Sequence, residues 1–299
     1  MNGPFPHPGV FPALITPMHE DDSLDLAALA EHIENMLIAG VHGLVALGST
    51  GEFYALDAGE RRAVLETTIQ ATRGRVPILA GTNAASTREV IQSSVEAQEM
   101  GADGLLLAPP YYSLPTSHEL FEHYKLVDQA VSIPIMLYNF PARTGVDLDV
   151  DLVEQLCELE NVQAIKESTG DIARFRALSE RAGSRISRFC GADAIPLQCF
   201  DFGAEGWIAG IANVLPREHV ELYELHRDGR REDARVLFDR ISPLLDLIEH
   251  SGCYVQLIKG LWGAQNQHAD KPRLPLLPPH PDSLQAASEL LLQVLRSNQ

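Results

Sequence analysis

The chain of 299 residues predicts an α/β protein: a closed parallel (β/α)8, or TIM, barrel with a small C-terminal helical appendage. Three observations carry that expectation. Short β-rich runs alternate with longer helical patterns from the N-terminus to about Arg230, and alternation of this kind builds a parallel sheet covered by helices. The unit recurs eight times, the number that closes a barrel. An open doubly wound sheet with a nucleotide site is expected to carry G-x-G-x-x-G after an early strand, and the chain has no such motif.

Taken in order, the strands are read at VFPALIT (10–16), HGLVALG (42–48), PILAG (77–81), DGLLLAP (103–109), PIMLYN (134–139), VQAIK (162–166), SRFCG (187–191) and EGWIAG (205–210). The helical stretches that follow them are 26–39, 58–73, 87–100, 117–130, 150–158, 172–181, 194–202 and 217–228. Beyond the eighth unit, amphipathic patterns at 233–249, 254–262 and 282–295 are interrupted by the proline-rich KPRLPLLPPHPD. The expected division is a catalytic barrel over 1–230 and a helical region over 231–299.

Composition narrows the function. With 23 Lys and Arg against 41 Asp and Glu, the formal net charge is −18. That balance argues against nucleic acid or an anionic membrane, both of which are bound through clustered cations. A small anionic substrate fits only where a local site reverses the field. No apolar run of about 18 residues is present, and MNGPFPHPGVF lacks the basic and apolar blocks of a signal peptide, so a cytoplasmic location is expected. Cys157, Cys190, Cys199 and Cys253 show no paired spacing and read as reduced thiols. The eleven histidines include no H-E-x-x-H, and neither a metal nor another cofactor is expected.

In a barrel the functional groups gather at the C-terminal ends of the strands. Unusual residues do fall there: GSTGE (48–52), PPYYS (109–113), YNFPARTG (138–145), Lys166 and the turn of Gly210-Ile211-Ala212-Asn213. The chain has only four lysines, Lys125, Lys166, Lys259 and Lys271, so one at a strand end invites a reason specific to the amine. One reading pairs Lys166 with a carboxylate such as neighbouring Glu167. The other makes it a Schiff-base lysine. An amine attacks a ketone only when neutral, and an ordinary lysine at pH 7 is neutral in roughly one molecule in 2,500. An apolar barrel interior provides the desolvation that raises this fraction.

GSTGE is a common βα turn, yet its hydroxyls and successive N–H groups also form a concavity suited to a carboxylate. Tyr138, Tyr111 and Tyr112 read either as half-buried packing residues or as phenols in a proton relay. Arg143 is either a solvated loop residue or a fork that clamps a substrate carboxylate.

Together these segments resemble the dihydrodipicolinate synthase and N-acetylneuraminate lyase superfamily of class I aldolases. The resemblance rests on GSTGE, PPYY, YNFPARTG, IKESTGD and GAEGWIAGIANVLP, in family order and spacing over almost the whole chain. It implies pyruvate, or a similar 2-oxo acid, bound as an imine on Lys166, with Ser49 and Thr50 holding the carboxylate. It further implies that Tyr138 relays protons through Ser49 to Tyr112 reaching in from a neighbouring subunit, and that the chain forms a homodimer or homotetramer. Arg143 and Ile208 complete the implied substrate-binding set. Arg143 looks like the synthase arginine that grips a second substrate. The spelling G-S-T-G-E is more usual in the sugar-acid lyases, and GCYVQLIKGLW replaces the synthase P-I-P-V-K pattern. Phe53, Ala58, Arg61 and Ala85 stand where lysine-inhibited synthases carry polar or histidine residues, which argues against feedback by lysine. Trp207 replaces a small or aliphatic residue and is expected to narrow the space beside strand eight.

Three imine reactions fit this reading: condensation with an aldehyde such as aspartate semialdehyde, cleavage of a 2-keto-3-deoxy sugar acid, and dehydration or deamination of an oxo acid. A metal-dependent aldolase and a non-catalytic barrel that binds 2-oxo acids are the rivals.

Overall fold

The structure, a computed structural model, describes residues 7–268 and 271–296. Eight parallel strands, β1 (Gly9–Pro12), β2 (Leu44–Ala46), β3 (Ile78–Gly81), β4 (Gly104–Leu107), β5 (Ile135–Asn139), β6 (Val162–Glu167), β7 (Ser187–Cys190) and β8 (Gly206–Ala209), pair in the order β1-β8-β7-β6-β5-β4-β3-β2. The seam between β1 and β2 is bridged by Ala13 opposite Val45, with the Leu14 N–H donating to the Val45 carbonyl at 2.9 Å. The first strand is shorter than the sequence predicts. Its paired register with β8 ends at Pro12, the Ala13 N–H still donates to the Ala209 carbonyl at 2.9 Å, and the chain then turns to β2.

Alternation along the strands creates two apolar layers. Phe11, Val45, Leu79, Met136, Phe189 and Ile208 fill the barrel interior, with Phe11 edge-on to Phe189 at 5.7 Å between ring centroids. Val10, Leu44, Ile78, Leu105, Ile135 and Ile165 face the other way, into the layer shared with the helices.

The outer ring comprises α1 (Leu26–Ile38), α2 (Ala58–Thr72), α3 (Thr87–Met100), α4 (Ser117–Asp128), the short α5 (Pro141–Thr144), α6 (Val150–Leu156), α7 (Ile172–Arg181), α8 (Pro196–Asp201) and α9 (Pro216–Arg227). Reciprocal capping boxes, Asp57 with Glu60 and Thr116 with Glu119, fix the starts of α2 and α4 by satisfying N–H groups that no helical carbonyl can reach. α5 lies where the sequence reads as loop. Proline at its first position and left-handed Gly145 at its end hold that single turn. α8 starts later than expected because Pro196 suits only a first turn.

Three further helices follow: α10 (Arg231–His250), α11 (Tyr254–Asn266) and α12 (Pro281–Arg296). α10 lies along α9 and against α12, burying Ala234, Leu237, Ile241, Leu244, Leu245 and Ile248 at helical spacing. That packing carries the last turn of α10 to the C-terminal mouth of the barrel. Among the described residues, no helix is long and apolar enough to cross a membrane.

Candidate active site

β6 is irregular where it matters. Ile135 pairs with Val162 but Met136 pairs with Ala164, leaving Gln163 as an extra residue. In an unbroken strand Val162 and Ala164 would share a face. Here Val162 faces the helices and Ala164 faces the interior. Ile165 then points out, and Lys166 points in, beside its register partner Tyr138.

Lys166 is 7% exposed, and its Nζ lies 4.3 Å from the centroid of the Tyr138 ring. Among the described residues no carboxylate lies within ion-pair distance of it. Glu167 does not supply that partner, because alternation turns it outward. Its carboxylate accepts from Arg174 Nε at 2.8 Å, Asn139 Nδ2 at 3.0 Å and the Thr169 N–H at 2.8 Å. Gly191, just after β7, makes room for the lysine stem. A Cβ there would stand 2.8 Å from Lys166 Cγ and Cε, and 2.0 Å from Ser168 Oγ.

The GSTGE turn is anchored from below. Glu52, in the left-handed region at φ 56°, is fully buried, and its carboxylate accepts from Lys259 Nζ at 2.7 Å and from the Arg273 N–H at 2.8 Å. Thr16 Oγ1 donates to the Gly51 carbonyl at 2.8 Å. These ties reach Ser49 and Thr50 through the rigid turn and present both to the cavity that holds Lys166.

It shares walls with a cavity of about 560 Å³, bounded by Ser49, Tyr111, Tyr138, Arg143, Glu249 and Tyr254 among others. The smaller lobe, of about 60 Å³, is the one that holds Lys166 and adds Thr50 and Gly191. The Arg143 guanidinium lies over the rings of Phe140 and Tyr254, 5.3 and 5.9 Å from their centroids. Ser49, Thr50, Tyr138, Arg143 and Lys166 are thus brought together. Tyr138 and Ser49 are not hydrogen-bonded to each other among the described residues. Tyr112 is 94% exposed at φ 77°, pointing away from this cavity, while Tyr111 lines it. Ile208 is packed in the barrel interior and is not part of the cavity wall.

Trp207 does not narrow the site. It alternates with Ile208 and so faces outward, stacked on His219 at 4.3 Å, with Nε1 donating to Asp193 Oδ1 at 2.9 Å. All four cysteines are free, and no cluster of three metal-ligating side chains occurs among the described residues.

The same architecture recurs in known proteins. A sequence profile of the Dihydrodipicolinate synthetase family matches residues 6–294. The chain belongs to that family. It is 38% identical over 248 residues to the 4-hydroxy-tetrahydrodipicolinate synthase of Cellvibrio japonicus, spanning 83% of this chain and 84% of that one. The 4-hydroxy-tetrahydrodipicolinate synthase of the methanotroph Methylacidiphilum fumariolicum SolV matches with a TM-score of 0.92 at 32% identity, over 97% and 96% of the two chains. The dihydrodipicolinate synthase of Acinetobacter baumannii, crystallised with pyruvate, matches with a TM-score of 0.90 at 32% identity, over 96% and 98%. As a member of the dihydrodipicolinate synthetase family the protein is an enzyme of the lyase class.

Glu249 is the site residue that sequence reasoning passes over in this family member. It occupies the last turn of α10 and lines both lobes of the cavity. Burial, and after it the negative charge of Asp193, pushes its carboxyl up to about 7. A signal is present in the pattern: four residues after Leu245 and eight after Ile241, an acid continues the apolar stripe of an amphipathic helix. Asp193 and Tyr254 complete the cluster. Tyr254 donates its hydroxyl to Asp193, and burial drives that phenol well above its ordinary range.

Proposed function

We propose that the protein condenses pyruvate, bound as an imine on Lys166, with a carboxylated aldehyde such as aspartate semialdehyde. The observation that carries this reading is the Lys166 environment: a buried amine with no carboxylate partner among the described residues, facing a cavity that also presents the Ser49 and Thr50 hydroxyls and the Arg143 fork.

The chemistry follows from those positions. The pyruvate carboxylate rests on Ser49, Thr50 and their turn. Neutral Lys166 Nζ adds to C2, and loss of the former carbonyl oxygen as water leaves the imine. Removal of a C3 proton gives the enamine, whose C3 attacks the aldehyde carbon while the aldehyde oxygen takes up a proton. Attack of water, or of an amine on the second substrate, at C2 then frees the lysine. Tyr138, with its ring against Nζ, is the proton-relay phenol. Arg143 holds the second carboxylate in a two-point contact. Tyr112, exposed on one chain, completes the relay from a second copy in a homodimer or homotetramer. The free cysteines suit the reducing cytoplasm.

Incubation with pyruvate and borohydride should attach a reduced pyruvyl group to Lys166, and product analysis should show aspartate semialdehyde consumed in preference to neutral hydroxyaldehydes. A label on Lys259, or cleavage of a 2-keto-3-deoxy sugar acid by an enzyme that ignores aspartate semialdehyde, overturns the reading.

A further inference from the structure

Arg143 and Glu249 share both lobes of the cavity without neutralising each other. Among the described residues no ion pair joins them, and none ties either to another group. Arg143 is flanked by aromatic faces. One oxygen of Glu249 receives the Asp193 N–H at 3.3 Å, which leaves most of its acceptor capacity open. The other acid nearby is already committed: Asp193 accepts from Trp207 Nε1, the Ile211 N–H and the Tyr254 hydroxyl. A half-buried carboxyl beside Asp193, at the negative end of the α10 dipole, is an unfavourable placement that a cationic ligand would offset. One wall therefore offers a guanidinium and a carboxyl separately, next to the reactive lysine. A zwitterion matches that pair in charge.

We propose that Glu249 determines second-substrate specificity by accepting the α-ammonium of an amino-acid aldehyde whose carboxylate Arg143 holds. The inference rests on the condensation reading above and adds to it the group that reads the amine of the aldehyde. It also gives the pocket a pH response. Among the described residues the charged and titratable groups around Glu249 are Asp193, Lys166, Arg143, Tyr54, Tyr111, Tyr138 and Tyr254. With its carboxyl held near 7, Glu249 is neutral below that pH and binds an ammonium poorly, whereas above it the carboxylate pairs.

The test compares aspartate semialdehyde with succinate semialdehyde, which keeps the aldehyde and carboxylate and lacks the amine. For the wild type, kcat/KM should favour the aminated substrate by about tenfold or more. Its KM alone should fall as pH rises through neutrality. Glu249→Gln should collapse the preference toward unity and flatten that pH response, with Glu249→Asp restoring part of both. Pyruvate trapping on Lys166 should persist throughout. Equal losses for the two aldehydes in Glu249→Gln, or an unchanged preference, overturn the specificity role while leaving condensation intact. A wild type that traps pyruvate and condenses with neither semialdehyde overturns the condensation reading, and this inference with it.

Discussion

Two buried lysines face different fates in this molecule. Lys259, fully enclosed on α11, donates to Glu52 Oε1 at 2.7 Å and to the Thr16 carbonyl at 3.0 Å. Lys166, almost as deeply placed, meets an aromatic face and an open cavity, with no carboxylate within ion-pair distance among the described residues. Burial is therefore not what marks a nucleophile. The Lys259 amine spends its hydrogen bonds on Glu52 and Thr16, whereas the Lys166 amine, without a carboxylate partner among the described residues, is left to meet a substrate in the cavity. The contrast also divides labour, since the Lys259–Glu52 pair fixes the very turn that presents Ser49 and Thr50.

Exchanging the two lysines' fates is the strongest way to break the comparison. Lys166→Ala should abolish borohydride-trapped pyruvate with little change in melting temperature, since one side chain at a cavity wall is lost. Lys259→Ala should keep the trapped label on Lys166 and lower stability by about 3–5 kcal/mol, because Glu52 is left buried without its cation. Melting curves and peptide mapping of both variants decide the matter, and a label that follows Lys259 reverses the assignment. Next in size is Tyr138→Phe, which retains the ring beside Nζ and removes the hydroxyl. Turnover should fall by about 10² to 10⁴ in steady-state assays, and a rate near that of the wild type returns Tyr138 to a packing role.

The smallest effect concerns the acid opposite the lysine. The Glu249 carboxyl is raised from 4.5 to about 7, so the folded state binds its proton more tightly than the unfolded chain. Stability from that difference is fully present below pH 4.5 and is lost as pH rises through about 7. Glu249→Gln should therefore gain on the wild type between pH 5 and pH 8, by about 1–3 kcal/mol. Denaturant titrations at the two pH values measure it, and a constant difference shows that Glu249 carries no such shift.

Part of this is legible in the sequence alone. The eight strand–helix units are written in local periodicity, and GSTGE, YNFPARTG and Lys166 stand at strand ends, where a barrel rule alone places chemistry. Other features need partners distant in sequence. Tyr111 and Tyr112 are adjacent and alike in type, and only the left-handed backbone at Tyr112 sends one outward while the other lines the cavity. Trp207 reads as an obstruction from its position in the chain, and only its face of β8 turns it away from the site.

What the sequence determined by itself is the order of elements and the residue types at their ends, because helix and strand patterns depend on neighbours within a few positions. What only the tertiary structure decided is direction and company. The extra residue at Gln163 sets the parity that turns Lys166 inward and Glu167 toward Arg174, and a strand's facing follows from register with its neighbour, not from its own composition. The packing of α10 brings Glu249 to a barrel mouth formed by residues as distant in sequence as Ser49. No local pattern encodes that meeting, since it arises only when separate apolar faces bury one another.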